Sequence, residues 1–453
     1  MQPEPHSAKC RGWCGGRTGA GIVAVGLIAG VAVFVSQTGS EESRIVPGGD
    51  IIESTGVRAT PGLPARTEPA QALAGDQLFV YGGSIPDEPL DEGGLLNDAA
   101  LVDASSGDVE ILPEPPFAEP LWHATAVGSN DTVLLLGRLC QIGPDYDPES
   151  DMSGDPDCRP GTYAAGVLDV PSRSWKAAEI PPSLAELHGA EAVSEALGIT
   201  ADRDAVVQLG DYRSPEFWKL NLATLAWQQL APSPERVDDA CLMNDALLVL
   251  TTSYRHNDTL SEEDPRLERR PGLRAGSESD GYVNPRIAKL DLAAESEWAT
   301  VEVATGQVNS LSPPVLTCGS TGFAAIVPLG SPTADFAIFN RVTGASGDAV
   351  DPPMPSPVIK DQVWVGDDLV FLPAAIEAGR PALVYNAASG SWRTVEGVPP
   401  VTRGALAMAN EIVGYSDATV WTTPADYHGS PDTLPTPQPN HTGVFIVPIT
   451  GGQ

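Results

Sequence analysis

The sequence predicts an all-β fold built from a repeated unit of four short strands, preceded by one membrane-spanning helix. Gly (46) and Pro (43) together make up about a fifth of the 453 residues, against roughly 12% in an average protein, and this excess favours strands joined by turns over long helices. Segments in which apolar and polar residues alternate recur through most of the chain and end at Gly, Ser or Asn, as β-hairpins do.

Charge and composition exclude two classes of protein. The chain has 60 Asp and Glu against 26 Lys and Arg, a formal net charge of −34. Too few basic side chains are present to neutralise phosphates, so we expect no nucleic-acid partner. Hydrophobic residues make up 42% of the chain, which is enough for a large core and argues against a disordered protein.

The N-terminal region predicts a membrane anchor. Residues 1–18 are basic, residues 19–35 are apolar and uncharged, and Glu41 and Glu42 follow. The positive-inside rule then makes 1–18 a cytoplasmic tail, 19–36 a transmembrane signal-anchor and the rest extracytoplasmic, a single-pass protein of the cell membrane. A cleaved signal peptide is the alternative, with residues 38–40 as the passable cleavage site. Residues 37–54 are polar and read as a linker to a domain over 55–453.

An internal repeat organises residues 55–453. A third-to-fourth-strand hairpin with a Trp in its second strand recurs at 165–175, 217–227, 287–298 and 382–392, and copies without the Trp lie at 100–109 and 336–345. First strands start near Ala72, Ala124, Ala196, Ala240, Leu316, Gln362 and Gly404. Seven units in this length average about 55 residues, a period typical of blade-forming repeats.

These units resemble kelch-type β-propeller blades. Tyr81-Gly82-Gly83 at the end of a strand resembles the kelch di-glycine, and His123 before a first strand resembles the His that is frequent there. The Trp residues at 175, 227, 298 and 392 resemble the kelch tryptophan. The resemblance covers about residues 55–453 and implies a ring of four-stranded blades. It implies no particular function, because kelch propellers include binding scaffolds and a few enzymes.

The two ends of the repeat region predict how the ring closes. Residues 56–64 match 391–399 in spacing and read as a fourth strand with no third strand before it. Residues 444–452 read as a third strand with no fourth after it. Pairing the two would remove an open sheet edge. We therefore predict a seven-bladed β-propeller closed by an N-terminal strand, with six or eight blades as alternatives.

The cysteines agree with an extracytoplasmic domain. Four of the six follow the apolar segment, and an even number in an oxidising compartment predicts two disulfides. Cys140 and Cys158 flank one loop, so we expect them to pair. Cys241 and Cys318 each lie in the first strand of adjacent blades, where their Cα atoms could fall within the disulfide range of roughly 4.4–6.8 Å.

An acidic loop is the candidate metal site. Residues 145–157 contain six carboxylates, and oxygen ligands of this kind suit Ca²⁺. The candidate ligands are Asp145, Asp147, Glu149 and Asp151. The spacing does not fit an EF-hand, and a solvated acidic loop held by a Cys140–Cys158 disulfide is the competing interpretation. No other cofactor is expected.

An arginine-rich segment is the candidate binding surface. Residues 253–285 contain Tyr254, Arg255, Arg269 and Arg270 in a chain otherwise poor in positive charge. Arginine forks bind carboxylates and phosphates. The competing interpretation is local neutralisation, because Glu and Asp at 262–264 and 268 lie in the same segment.

Function is predicted from the architecture, since the sequence has no H-E-x-x-H or G-x-S-x-G motif. Four long insertions, roughly 84–98, 138–163, 253–285 and 416–442, separate predicted second and third strands. They should share one face of the ring with the connections between blades. Loops on a rigid scaffold commonly carry recognition. We therefore expect binding of a protein or cell-envelope glycan through this long-loop face, and the alternative is a hydrolase or lyase with its site at the channel.

Overall fold

A computed structural model of the protein describes part of the chain. The described residues are 57–58, 60–85, 94–139, 163–181, 192–211, 214–233, 237–259, 278–293, 297–301, 309–310, 315–320, 322–328, 336–342, 345–346, 359–373, 381–396, 398–399, 405–416 and 443–449. The chain divides into two units, Met1–Arg44 and Ile45–Gln453, and every described residue belongs to the second. The predicted cytoplasmic tail, signal-anchor and linker lie outside the described residues. Within those residues, no helix has the length and apolar character needed to span a bilayer.

The described strands form seven antiparallel sheets, which we number as blades 1 to 7. Blade 1 contains β2 (Ala70–Ala74), β3 (Gln77–Tyr81), β4 (Ala99–Asp103) and β5 (Val109–Ile111). Blade 2 contains β6 (Leu121–Gly128), β7 (Thr132–Leu139), β8 (Tyr163–Asp169) and β9 (Ser174–Ala178). Blade 3 contains β10 (Ala192–Ile199), β11 (Asp204–Asp211), β12 (Ser214–Asn221) and β13 (Trp227–Gln229).

Blades 4 to 6 continue the same strand order. Blade 4 contains β14 (Asp239–Met243), β15 (Ala246–Thr259), β16 (Glu278–Asp291) and β17 (Trp298–Val301), and β18 (Asn309–Ser310) pairs with β16. Blade 5 contains β19 (Val315–Cys318), β20 (Gly322–Pro328), β21 (Phe336–Val342) and β22 (Ala345–Ser346). Blade 6 contains β23 (Ile359–Val365), β24 (Asp368–Pro373), β25 (Ala382–Asn386) and β26 (Ser391–Val395).

Blade 7 is built from both ends of the repeat region. It contains β27 (Leu406–Met408), β28 (Glu411–Ser416), β29 (Gly443–Pro448) and β1 (Val57–Arg58) in that spatial order. Val57 pairs with Phe445 and Arg58 with Val444. The predicted closure by an N-terminal strand is therefore confirmed. The four-stranded sheets in this order, together with the apolar packing between neighbouring sheets, make the domain a β-propeller.

Apolar packing joins each blade to its two neighbours. The second strands carry continuous apolar runs, because residues that alternate along a strand are buried against opposite neighbours. In β15, Leu247 and Val249 pack toward blade 3, whereas Leu248 and Leu250 pack toward blade 5. Seven clusters of this kind lie between successive blades, and one of them joins blade 7 to blade 1. The described sheets therefore form a closed ring.

The hairpins between the third and fourth strands of blades 1, 2, 3 and 6 share one turn. An Asp or Asn ends the third strand, and its side-chain oxygen accepts a hydrogen bond of 2.9 Å from the backbone N–H three residues later. The residues are Asp103, Asp169, Asn221 and Asn386. This side-chain turn explains why the repeat carries Asp or Asn at that place. Hydrogen bonds lower the pKa of both aspartates. The largest effect on Asp103 comes from the Ser105 hydroxyl, and the largest effect on Asp169 comes from the Ser172 hydroxyl.

The repeated tryptophans pack between blades. The Trp175 ring lies 6.1 Å from that of Phe79 in blade 1, and its Nε1 donates to the Pro113 carbonyl at 3.0 Å. The Trp298 ring lies 6.2 Å from that of Phe217 in blade 3. Each fourth-strand Trp of these two blades therefore covers the junction with the preceding blade.

The prediction that residues 253–285 form a loop is wrong in part. Residues 253–259 of β15 and 278–285 of β16 continue the blade 4 hairpin, with Tyr254 opposite Tyr282 and Arg255 opposite Gly281. The segment is polar and lacks the alternation that marks a half-buried strand, so the sequence favoured a loop. The four insertions do separate second and third strands, as expected.

One of the two predicted disulfides is confirmed. Cys241 in β14 and Cys318 in β19 are bonded, with Cα atoms 5.7 Å apart. The bond joins the first strands of blades 4 and 5, which are 77 residues apart in sequence. Cys140 and Cys158 lie outside the described residues, so their pairing stays a prediction.

Replacing Cys241 and Cys318 together with Ala should destabilise the ring by about 2–4 kcal/mol, because the bond constrains a long segment of the unfolded chain. Urea unfolding under non-reducing conditions measures the loss. A Cys10→Ala/Cys14→Ala variant is the control and should unfold like the parent. Non-reducing peptide mapping that joins Cys241 to a cysteine other than Cys318 would contradict the assigned pairing.

Candidate functional site

A small recess lies on the long-loop face at the junction of blades 1 and 2. Its volume is about 40 Å³. Three parts of the chain form it: the connection from β1 to β2, the segment that follows β3, and the first residues of β6. The lining residues are Thr67, Glu68, Gly83, Ser84, Leu95, Leu121, Trp122, His123 and Ala124.

The di-glycine after β3 allows the closing segment, residues 60–69 between β1 and β2, to approach the end of β3. Thr67 and Ser84 exchange two backbone hydrogen bonds, of 2.8 and 3.0 Å, and their hydroxyl oxygens lie 2.6 Å apart. Gly82 and Gly83 have φ of 61° and 86°. A Cβ on Gly83 would lie 2.4 Å from the Thr67 carbonyl oxygen, so a side chain there would separate the two segments.

A buried ion pair fixes the same segment. The Arg66 side chain is fully buried, and its Nη1 and Nη2 donate to the two oxygens of Asp98 at 2.9 and 2.8 Å. Nη1 also donates to the Gly82 carbonyl at 3.1 Å. This bidentate geometry holds the backbone beside Thr67 and Glu68 against blade 1.

A buried tyrosine connects blade 1 to the other wall. The Tyr81 hydroxyl donates to Asn97 Oδ1 at 2.8 Å and accepts from the Leu121 N–H at 3.0 Å. Burial raises the pKa of Tyr81 above its ordinary value. The hydroxyl therefore stays protonated and ties the start of β6 to the loop before β4.

Two non-glycine residues of the recess have left-handed backbones. Glu68 has φ of 51° and His123 has φ of 49°. His123 lies at a β-bulge, where the β6–β7 register shifts between Trp122 and Thr125. The other described non-glycine residues with positive φ lie in hairpin turns, at Arg173, Arg203, Leu225, Asn244 and Ala409. Strained residues of this kind cluster at functional sites, which makes the recess the candidate site.

A second group of ionisable residues lies where the first strands of blades 3, 4 and 5 adjoin. Asp239 of β14 accepts hydrogen bonds from Ala240 N at 2.8 Å and from Leu316 N of blade 5 at 2.6 Å. Desolvation first, and then the charges of Glu195 and Asp238, raise the pKa of Asp239 to about 8. The carboxyl group is therefore a structural link between blades 4 and 5 that binds a proton at neutral pH.

Most of the binding and metal residues predicted from sequence lie outside the described residues. Tyr254 and Arg255 lie on β15, where their backbones pair with β16 of blade 4. Arg269 and Arg270 lie outside the described residues, as do Asp145, Asp147, Glu149 and Asp151. In the part of the chain that the structure describes, no group of three or more His, Cys, Asp or Glu could hold a metal ion.

Sequence reasoning missed most of the recess. Gly83 and His123 belong to features that resemble the kelch repeat, whereas Glu68, Ser84 and Trp122 belong to no recognisable motif. The available signal was the di-glycine itself, because a Gly pair after a strand indicates that another backbone approaches closely.

Fold and site define a β-propeller with a small recess on its long-loop face. No protein-family model matches the chain, and no curated protein matches it. Among solved structures, it is similar to the β-propeller domain of the Trilobed protease from Pyrococcus furiosus, described as having an open velcro topology. The identity is 8% and the TM-score 0.45, over 79% of this chain and 93% of that chain.

Asp98→Asn should lower the free energy of unfolding by about 3 kcal/mol, because it leaves the Arg66 guanidinium buried without its counter-charge. Arg66→Met combined with Asp98→Asn should cost less than Asp98→Asn alone. Chemical denaturation measures both, with Glu114→Gln as an exposed control expected within about 0.5 kcal/mol of the parent. Equal losses in the single and double variants would show that the charge is not the source of the effect.

The raised pKa of Asp239 predicts a pH dependence of stability. The folded pKa is about 8 and the unfolded value is about 3.9, so the folded state holds the extra proton between these values. Stability should therefore fall as pH rises from about 4 to 8, by less than about 1.4 kcal/mol per pH unit, and level off above. Asp239 is half-buried, so we expect a fraction of this limit.

Glu195→Gln provides the variant for that experiment. It removes one charge that raises the pKa of Asp239 and leaves the Asp239 hydrogen bonds in place, so the decline of stability with pH should become shallower. Asp239→Asn should abolish its own contribution to the slope, although losing one acceptor lowers its stability at every pH. An unchanged slope in both variants would assign the pH dependence to other groups.

Proposed function

We propose that this protein is a kelch-type, membrane-anchored β-propeller that binds a protein or a cell-envelope glycan through its long-loop face. The recess between blades 1 and 2 carries the proposal. It combines backbone strain, exposed polar side chains and a rigid surround, which together are typical of a binding site on a scaffold.

The chain direction supports the choice of face. Second-to-third-strand connections and the connections between blades emerge at the same end of each sheet, and residues from both kinds of connection line the recess. Strand β1 is a fourth strand, so the chain enters it from the opposite face and reaches the long-loop face only at residues 60–69. A tether that precedes β1 would leave the recess accessible.

The Cys241–Cys318 bond supports the compartment. Disulfides persist in oxidising spaces and are rare in the cytosol. A disulfide between first strands of adjacent blades is therefore what an extracytoplasmic propeller is expected to carry.

The alternative function is a hydrolase or lyase at the channel, and one observation favours it. Asp239 binds a proton at neutral pH beside the exposed Glu195, and a proton-donating acid next to a second carboxylate is the pattern of general acid–base catalysis. Both oxygens of Asp239 accept backbone hydrogen bonds, however. This engagement favours the structural role, and we place binding first.

Site-specific photocrosslinking in cells that produce the protein tests the face. p-Benzoylphenylalanine at Leu95 or Glu114 places the crosslinker on the long-loop face, and at Asn130 or Asp202 it lies in first-to-second-strand turns on the opposite face. We expect adducts from the first pair and none from the second. A protein partner gives a discrete protease-sensitive band, whereas a glycan gives a heterogeneous glycosidase-sensitive product.

Two results would contradict the proposal. Adducts formed only from Asn130 and Asp202 would place recognition on the opposite face. Adducts absent from all four positions but present from a crosslinker at Glu195 would place the ligand at the channel and favour the hydrolase or lyase.

A further inference from the structure

We infer that the recess binds the cationic head group of a lysine or arginine side chain presented by a protein partner. The inference rests on the proposed function, in which the long-loop face binds a partner, and it names the chemistry that this face recognises. Four properties of the lining residues support it: charge, aromatic character, hydrogen-bonding capacity and size.

Charge favours a cation. Among the described residues that line the recess, Glu68 is the acidic one and none is Lys or Arg. Glu68 is exposed at the rim, where its carboxylate can be approached from solvent. The formal net charge of −34 adds a long-range field that attracts basic partners and repels acidic ones.

Two aromatic side chains line the recess together with Glu68. The Trp122 and His123 rings lie 5.0 Å apart at 75°, edge to face. A cation near an aromatic ring is stabilised by the ring quadrupole, most strongly by Trp. A carboxylate and a tryptophan in one recess are therefore complementary to an ammonium or guanidinium group.

Hydrogen-bonding capacity disfavours a sugar. The hydroxyls of Thr67 and Ser84 bond to each other at 2.6 Å, and the backbones of the same two residues are paired. A polyhydroxylated ligand would need these groups to bond outward. Both hydroxyls of the recess are thus engaged within the protein, whereas the cation requires chiefly the carboxylate and the rings.

Size points to one side chain. The volume of about 40 Å³ has room for about three water molecules, which suits the head group of a side chain rather than a whole sugar ring. The walls are held by the Arg66–Asp98 ion pair and by the Tyr81 hydroxyl. A preformed recess that takes one rigidly placed side chain is the form of an interface anchor.

The test uses small probes on the full chain, because the partner is unidentified. The probes are N-acetyl-arginine amide, N-acetyl-lysine amide, the neutral isostere N-acetyl-citrulline amide, and N-acetylglucosamine. The readout is the imidazole Hε1–Cε1 NMR resonance of His123 in ¹³C-histidine-labelled protein at pH 8, assigned with His123→Gln. We expect saturable shifts with the two cations, with dissociation constants in the millimolar range, and none with citrulline or the sugar.

Two variants and a change in salt concentration test whether the Glu68 charge binds the cation. Glu68→Gln should weaken cation binding about tenfold, whereas Glu179→Gln, an exposed glutamate that does not line the recess, should leave it unchanged. Affinity should also fall as NaCl rises from 50 to 500 mM. Binding of citrulline as tight as arginine, or of the sugar alone, would overturn the inference in favour of a neutral ligand.

Failure here is distinguishable from failure of the proposed function. If no probe shifts His123 while Leu95 and Glu114 still crosslink to a partner, the long-loop face binds by other contacts and the cation inference is wrong. If the cations bind but crosslinks come only from Asn130 and Asp202, the recess chemistry holds and the assignment of the binding face is wrong.

Discussion

Burial of both faces of every sheet is the constraint on which this structure depends. A four-stranded sheet with apolar residues on both faces is stable in water only if a neighbour covers each face. The run Leu247–Leu250 shows the consequence, because its alternate residues enter the clusters on either side of blade 4. A row of such sheets would leave one face bare at each end. The cluster between blades 7 and 1 removes both bare faces at once.

Ring closure and the candidate site are parts of one construction. Val57 and Arg58 of the N-terminal strand pair with β29 of blade 7, and the chain that follows them then crosses to blade 1. There Arg66 is buried against Asp98 and Thr67 pairs with Ser84. These contacts secure the closing segment and also form one wall of the recess. A change that loosens closure is therefore also a change to the site.

The sequence predicted those features that arise from local pattern. Strand starts, the third-to-fourth-strand hairpins and the closing strand each depend on a few consecutive residues, and Cys241 and Cys318 could be paired because both lie in first strands. The recess depends on residues from three separate segments, and the left-handed backbone of Glu68 and His123 is imposed by tertiary contacts. The extension of β15 was also invisible, because residues 253–259 lack the apolar–polar alternation that marks a half-buried strand, although they pair with β16.

The polar links between neighbouring blades differ from one junction to the next. Between blades 4 and 5, the disulfide and the Asp239–Leu316 hydrogen bond join the first strands directly. Between blades 1 and 2, one link is the Tyr81 hydroxyl, which reaches from the second strand to Leu121 at the start of β6. Beyond that link, β6 bulges at His123 instead of continuing its register. Strain is tolerated where contacts on every side hold it in place. The recess therefore lies where contacts on each side hold a backbone that departs from the regular strand register.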